Sequence, residues 1–187
     1  MPPALPSRTT PAEGSGDVIP VDRRLQAIGE EEEAAPDGYI PSTIPDGTFG
    51  QLLGQLYQRR GGGGFAFRVD ARHGNVRGVV HGGMLMTMAD QVLGLTVQEA
   101  IGGGPTATIS LNCDFVSSAE PGDLIEGAAE VTRITRSIVF VQGRLACGDR
   151  LILSAAGLWK RLDPRYSGAD HPIGDSADGS SDQAGPP

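Results

Sequence analysis

Apolar residues recur at helical and strand spacing through the middle of the chain. Residues 49–58 (FGQLLGQLYQ) have helical spacing, and residues 65–70 (FAFRVD) alternate as a strand does. Residues 83–99 predict a long helix, which the glycines at 102–104 end. Because apolar side chains point in nearly every direction around this helix, we expect a curled sheet or a second subunit to bury it.

Four strand-like runs follow the long helix. In the first, TATISLNCDFV (106–116), apolar and polar residues alternate, which predicts a half-buried strand with Thr108 on the side facing away from the helix. The runs at 124–133, 137–147 and 151–161 are separated by turn signals and complete a predicted meander. We therefore expect an α+β fold, in which a curved antiparallel sheet of about five strands wraps around one long central helix.

Both ends of the chain differ in composition from its middle. Residues 1–46 hold nine acidic and three basic residues and are rich in Pro, Gly and Ser, which predicts a disordered acidic arm. Residues 164–187 hold four Asp and one Arg and predict a second disordered tail. Residues 47–163 remain as one compact domain of ordinary size.

The charge of the domain excludes several classes of function. Residues 47–163 hold eleven basic and ten acidic residues without a basic stripe, so we expect no nucleic-acid partner. Because no apolar run is long enough to cross a membrane and none resembles a signal peptide, we expect a cytoplasmic protein without a membrane partner. Cys113 and Cys147 lack metal-ligand spacing and are expected to be buried free thiols, and we expect neither a metal nor a cofactor.

The long helix contains a candidate reaction centre. Asp90 interrupts its apolar run, either within a polar stripe that faces water or as a carboxylate in a dry interface that acts as a general base. The preceding His81, Gly82 and Gly83 form either a plain helix entry or an oxyanion hole, since the first N–H groups of a helix lack partners and glycines admit a substrate closely.

The separation of these residues along the helix has a consequence for assembly. Asp90 follows Gly82 by eight residues, which is about 12 Å of helix. A reacting carbonyl must lie about 3 Å from both its oxyanion donors and the attacking group. If this is an active site, we therefore expect two chains to combine, with Asp90 of one near the glycines of the other.

The pattern N-x5-HGG-x6-D (Asn75, His81–Gly83, Asp90) resembles the signature of hotdog-fold acyl-CoA thioesterases of the PaaI-like type, within the 4-hydroxybenzoyl-CoA thioesterase superfamily. The resemblance extends over residues 47–161. It implies that Asp90 acts as general base or nucleophile, and that the partner's Gly82 holds the thioester oxygen. It implies further that Asn75 orients that oxygen or the water, that His81 supports the loop or the thioester, and that Thr108 helps to place the water.

The same resemblance implies the partners of the protein. Its substrate is an acyl-CoA, with Gly83, Arg136 and Ser137 as further binding residues and Arg136 the best match for a CoA phosphate contact. We expect a homodimer or a homotetramer built as a dimer of dimers. The alternative function is that of a non-catalytic acyl-CoA-binding or regulatory protein of the same fold.

Overall fold

The structure, a computed structural model, describes residues 34–43, 49–50, 53–163 and 165. Its fully described elements are one long helix, one short 3-10 helix and seven strands, and residues 49, 50 and 53 are helical as well. In chain order they are β1 (Tyr39–Pro41), β2 (Leu56–Arg59), β3 (Phe65–Arg68), the 3-10 helix (Ala71–His73), α1 (Gly82–Ala100), β4 (Thr106–Phe115), β5 (Leu124–Ile134), β6 (Ile138–Cys147) and β7 (Arg150–Arg161). No described helix is long and apolar enough to cross a membrane.

The strands form one antiparallel sheet in the order β1-β2-β3-β5-β6-β7-β4. The α+β class is confirmed, and β1 and β2 raise the strand count from about five to seven. The predicted meander is right for β5, β6 and β7 but wrong for β4, which pairs with β7 at the edge of the sheet. Residues 116–123 are too many for a tight hairpin, and they pass beside Val80, whose N–H donates to the Ala119 carbonyl.

Two predictions for the N-terminal part of the chain need correction. The predicted helix over 49–58 is wrong in its second half, because residues 56–59 form β2 after Gly54 adopts a φ of 94°. β1 lies within the segment 1–46, which was expected to lack structure, and it pairs with β2. Ordered structure therefore begins before residue 47, while residues 1–33 lie outside the described part of the chain.

The core forms where one face of the sheet covers α1. The helix buries one side against the sheet through Leu85, Met88, Ala89, Val92, Leu93 and Val97. The helix approaches the sheet closely at Gly143, where an added Cβ would lie 2.8 Å from Leu93. Of the two expected ways to bury α1, the sheet of one chain does not suffice, since Met86 on the other side remains 40% exposed.

An irregularity at the start of β4 reverses the predicted direction of one side chain. The pairing of β4 with β7 shifts register between Thr108 and Ser110, as a β-bulge does. Ile109 is consequently 51% exposed, whereas Leu111 and Cys113 beyond the bulge pack against the core as the alternation predicts. Thr108 therefore points toward α1, and its predicted position on the opposite side of the strand is wrong.

Candidate functional site

A buried histidine organises the loop that leads into α1. His73 is 6% exposed, and its Nδ1 accepts a hydrogen bond of 3.0 Å from the Asp70 N–H. Its Nε2 lies 3.0 Å from the Leu53 carbonyl, to which it donates because Nδ1 already accepts. Burial lowers the pKa of His73, a change that the nearby Asp70 charge partly opposes. The His73 carbonyl in turn accepts from the His81 N–H at 2.8 Å, so this histidine fixes the chain where the helix begins.

The start of α1 leaves one glycine N–H available. His81 is the N-cap, and its Nδ1 accepts from the Gly83 N–H at 2.9 Å. The N–H of Gly82 donates to no acceptor among the described residues. The sequence treats Gly82 and Gly83 alike, but here the Gly83 N–H is already occupied. Within the described part of the chain, Gly82 alone offers a free donor at the positive end of the helix dipole.

An aromatic ring lies beside this donor. A Cβ added to Gly82 would lie 3.3 Å from the ring of Phe115, which is itself 52% exposed. The absence of a side chain at Gly82 therefore keeps its backbone N–H accessible, and the Phe115 ring lies at the edge of that opening. The sequence assigns Phe115 to the apolar face of its strand, but its nearness to the helix start could not be read from the alternation.

The carboxylate of Asp90 is held by a hydroxyl. Thr108 Oγ1 donates a hydrogen bond of 2.9 Å to Asp90 Oδ1. The β4 bulge makes this contact, because a regular strand would point Thr108 to the other face. Asp90 is half-buried in this chain. One oxygen is therefore oriented by the protein, and Oδ2 is left to act on water or substrate.

The nearby thiol is not activated as a nucleophile. Cys113 is a free, half-buried cysteine on β4, as is Cys147 on β6, so both are less buried than the sequence predicts. Burial raises the pKa of Cys113, and the negative charges of Asp114 and Asp90 raise it further. The thiol therefore stays protonated near neutral pH, and Asp90 is left as the candidate reactive group of this region.

Asn75 lies in the loop before the helix with its side-chain oxygen engaged. Its Oδ1 accepts from the Arg77 N–H at 2.8 Å, and its backbone pairs with Val79. The Asn75 amide group makes no donated hydrogen bond among the described residues, so its NH₂ is available to a ligand. The structure thus places Asn75 in the loop before α1, His81 and Gly82 where the helix begins, and Asp90 with Thr108 about two turns further along.

Arg136 and Ser137 occupy the β5–β6 hairpin, at the opposite end of the domain from Gly82. The Ser137 carbonyl accepts from the Arg161 N–H at 2.9 Å, which ties the hairpin to the end of β7. Two strand spacings, or about 10 Å, separate this hairpin from β4 at Thr108. The side chains of four basic residues here form no ion pair within the described chain: Arg133, Arg136, Lys160 and Arg161.

The resemblance to PaaI-like thioesterases also offers Arg72 as a weaker match for a phosphate contact, but this arginine is engaged elsewhere. Its guanidinium forms a 2.7 Å ion pair with Asp70 beside the buried His73. It therefore supports the loop before α1 instead of presenting a free charge. Among the described residues, no three His, Cys, Asp or Glu side chains lie close enough to share a metal ion.

A groove on the sheet lies away from these groups. Its volume is about 650 Å³, and it is lined by residues of β4 to β7, among them Asn112, Gln142, Arg144 and Ala156. Asp90 and Gly82 do not line this groove.

Two residues near Asp90 were not singled out from the sequence. Trp159 on β7 is the register partner of Thr108, and its indole nitrogen faces Gly94 of α1. Both residues could have been noticed in the sequence. Trp159 is the one tryptophan of the chain, and Gly94 lies inside a long helix, where glycine is disfavoured unless packing or function requires it.

Comparisons with known proteins extend the picture. The model of the Thioesterase superfamily matches residues 77–153, which include Gly82, Asp90 and Thr108. A relative from Pseudomonas aeruginosa named "Putative esterase PA0474" is 36% identical over 95 residues, which cover 50% of this chain and 71% of the relative.

Two solved structures from Thermus thermophilus share the architecture. The TT0310 protein is 25% identical with a TM-score of 0.55, covering 63% of this chain and all of that one. A mutant of the phenylacetic acid degradation protein PaaI is 25% identical with a TM-score of 0.54, covering 61% of this chain and 98% of that one. The hotdog fold and the PaaI-like resemblance expected from the sequence are therefore confirmed.

Proposed function

Because the chain belongs to the thioesterase superfamily, we propose that it hydrolyses an acyl-CoA thioester to the free acid and CoA. The observation that supports this most is the hydrogen bond from Thr108 to Asp90, which orients a carboxylate on the helix that also carries a free glycine N–H at its start. We assign Asp90 as the catalytic carboxylate and Thr108 as the residue that positions it.

The chemistry of a thioester suits this set of groups. Asp90 takes a proton from water as the water oxygen attacks the thioester carbonyl, or it attacks the carbonyl itself and forms an anhydride that water hydrolyses after the thiolate has left. The Gly82 N–H donates to the oxyanion that develops, and the Asn75 NH₂ supports the same oxygen. The carbon–sulfur bond then breaks, and the CoA thiolate leaves without a strong acid because its conjugate thiol is already moderately acidic.

The two halves of this reaction centre come from two chains in our proposal. Asp90 and Gly82 are about 12 Å apart along one helix, which is too far for both to contact one carbonyl. Pairing Asp90 of one protomer with Gly82 of the partner subunit brings them together. The dimer supplies two such sites through one symmetric interface, and it can pack further into a tetramer.

The edge strand β4 is the surface best suited to this pairing. Its outer edge has no neighbour within the described sheet, and it carries Thr108, which belongs to the reaction centre. Large apolar side chains are exposed along it and beside it: Ile109, Phe115, Val116 and Met86. A long apolar edge of this kind is normally covered in a native protein.

We propose that the CoA part of the substrate binds at the end of the domain that carries the β5–β6 hairpin and its basic residues. Arg136 lies in an exposed turn without an ion-pair partner among the described residues, and it is accompanied by Ser137 and by the other three unpaired basic residues. Guanidinium groups bind phosphate in a forked geometry. We therefore propose Arg136 as a phosphate contact for CoA, with Ser137 beside it.

Release of free CoA from acetyl-, phenylacetyl- and long-chain acyl-CoA tests the proposal. We expect the wild type to turn over at least one of these, and D90N to lose about 10²- to 10⁴-fold in kcat. At Gly82, proline removes the N–H but suits the first helical position, and the extended backbone of His81 accepts a following proline. G82P should therefore lose about 10²- to 10³-fold relative to G82A, which adds a Cβ but keeps the N–H.

Two outcomes contradict the proposal. Tight binding of acyl-CoA without turnover by the wild type would favour the non-catalytic binding protein instead. Equal activity of G82P and G82A would remove the Gly82 N–H from the mechanism, because both variants place a Cβ against Phe115 and differ at the N–H.

A further inference from the structure

The indole N–H of Trp159 is a donor at the edge of the core, without an acceptor among the described residues. The side chain is 2% exposed, and Nε1 donates no hydrogen bond within the part of the chain that the structure describes. Nε1 itself keeps a small accessible surface, so the N–H is open to a ligand or to water although the rest of the ring is buried. Where this donor opens to the surface therefore decides what it can bind.

Gly94 opens the helix at the place where this donor lies. A Cβ added to Gly94 would lie 3.3 Å from Trp159 Nε1, and beyond the helix itself no atom other than those of the indole comes closer than 4.0 Å. The volume that a side chain would fill is thus empty and within hydrogen-bond reach of Nε1. We call this space the Gly94 notch.

The ring is held in this orientation by a second glycine. Gly157 lies two residues before Trp159 on the same face of β7, and a Cβ there would lie 2.5 Å from the far edge of the indole. Glycine at 157 lets the ring lie flat along the strand, and glycine at 94 exposes the N–H edge. Glycine costs conformational entropy inside a helix or a strand. The space that the Trp159 indole occupies explains why glycine is present at both positions.

The Gly94 notch adjoins the candidate reaction centre. Gly94 follows Asp90 by four residues, so the two share a face of α1 about 6 Å apart. Trp159 is the register partner of Thr108, the hydroxyl that orients Asp90. A group that reaches from the reacting carbonyl along the helix for one turn meets the indole N–H.

We propose that Trp159 is a specificity-determining residue whose indole N–H, presented in the Gly94 notch, binds an oxygen of the acyl group about 6 Å from the thioester carbonyl. This inference rests on the proposed thioesterase function and adds to it a substrate class: acyl groups with a hydrogen-bond acceptor four or five bonds beyond the thioester carbon. Plain alkyl groups of the same shape leave the donor unpaired.

A pair of shape-matched substrates tests the proposal. In 5-oxohexanoyl-CoA the ketone oxygen lies near the required distance, and 5-methylhexanoyl-CoA replaces that oxygen by a methyl group. We expect the wild type to favour the oxo substrate roughly three- to tenfold in kcat/KM, the ratio for one neutral hydrogen bond. W159F keeps an aromatic ring and removes the donor, so this preference should disappear.

Two further variants separate selectivity from packing. F65L alters an equally buried aromatic residue on β3 and should retain the preference of the wild type. G94A fills the notch and should lower kcat/KM for both hexanoyl substrates more than for acetyl-CoA, which is too short to reach it. Retention of the oxo preference by W159F overturns the proposal, and so does an equal effect of G94A on all three substrates.

Fluorescence distinguishes failure of this inference from failure of the proposed function. Trp159 is the only tryptophan of the chain, so its emission reports on the notch alone. In D90N, which should bind without turnover, 5-oxohexanoyl-CoA should shift or quench the emission and acetyl-CoA should not. If the wild type hydrolyses no acyl-CoA, the same titration of the wild type decides the inference. Emission that responds to neither ligand overturns it, whether or not the enzyme is active.

Discussion

Replacing Thr108 by valine should disable Asp90 without disturbing the fold. Valine has nearly the same shape and suits a strand, but it lacks the hydroxyl that donates 2.9 Å to Asp90 Oδ1. Without that bond the carboxylate is free to leave the rotamer in which Oδ2 addresses the substrate. A hydrogen bond to a charged group contributes about 1.5–3 kcal/mol. If all of it orients the carboxylate in the transition state, kcat falls roughly 10- to 150-fold.

The assay is CoA release at saturating substrate, with thermal unfolding as a parallel measurement. T108S retains the hydroxyl and should restore most of the activity. T106V makes the same substitution two residues earlier on β4, where the side chain makes no hydrogen bond among the described residues, and should keep wild-type turnover. Full activity of T108V, or a comparable loss in T106V, would refute the view that Thr108 positions Asp90.

Three further predictions concern stability and assembly. The unfolding free energy should decline as the pH falls below about 6.5, by up to about 1.4 kcal/mol per pH unit. The cause is the lowered pKa of His73, because the unfolded chain then binds a proton that the native chain resists. Chemical denaturation from pH 7.5 to 5 should show this decline in the wild type and not in H73Q. G143A should cost about 1–3 kcal/mol by the same method, since its Cβ would lie 2.8 Å from the Ala128 carbonyl, and an unchanged midpoint would contradict this packing. I109E on the β4 edge should raise the dimer dissociation constant at least roughly tenfold in sedimentation equilibrium. I40E on the opposite edge strand, β1, should leave it unchanged. The reverse result would place the interface at β1.

The sequence predicts the central part of the fold well, because long periodic segments carry strong local signals. The helix predicted over 83–99 is observed as Gly82–Ala100, and β5, β6 and β7 form the expected meander. The short strand β2 was missed because its residues also fit a helical period and only the φ of Gly54 ends the helix. The place of β4 depends on a long connection, whose path local sequence does not determine.

The sequence identifies the residues of the candidate site, but it does not predict how their side chains and N–H groups are oriented. The alternation of residues 106–116 places Thr108 away from the helix, and only the bulge before Ser110 turns it to Asp90. Two adjacent glycines look equivalent in sequence, yet the His81 side chain occupies the N–H of Gly83 and leaves that of Gly82 free. Such differences arise from side-chain contacts between elements, and a one-dimensional pattern does not contain them.

Activity of mixed dimers tests the shared reaction centre most directly. D90N and G82P each inactivate both sites of a homodimer if every site takes Asp90 from one chain and Gly82 from the other. A heterodimer of the two variants then has one intact site and one doubly defective site. Random pairing of equal amounts makes half the dimers mixed, so co-expression should restore about a quarter of wild-type activity per chain. If each chain instead supplies its own Asp90 and Gly82, every site carries one defect, and the mixture should be no more active than the separate variants.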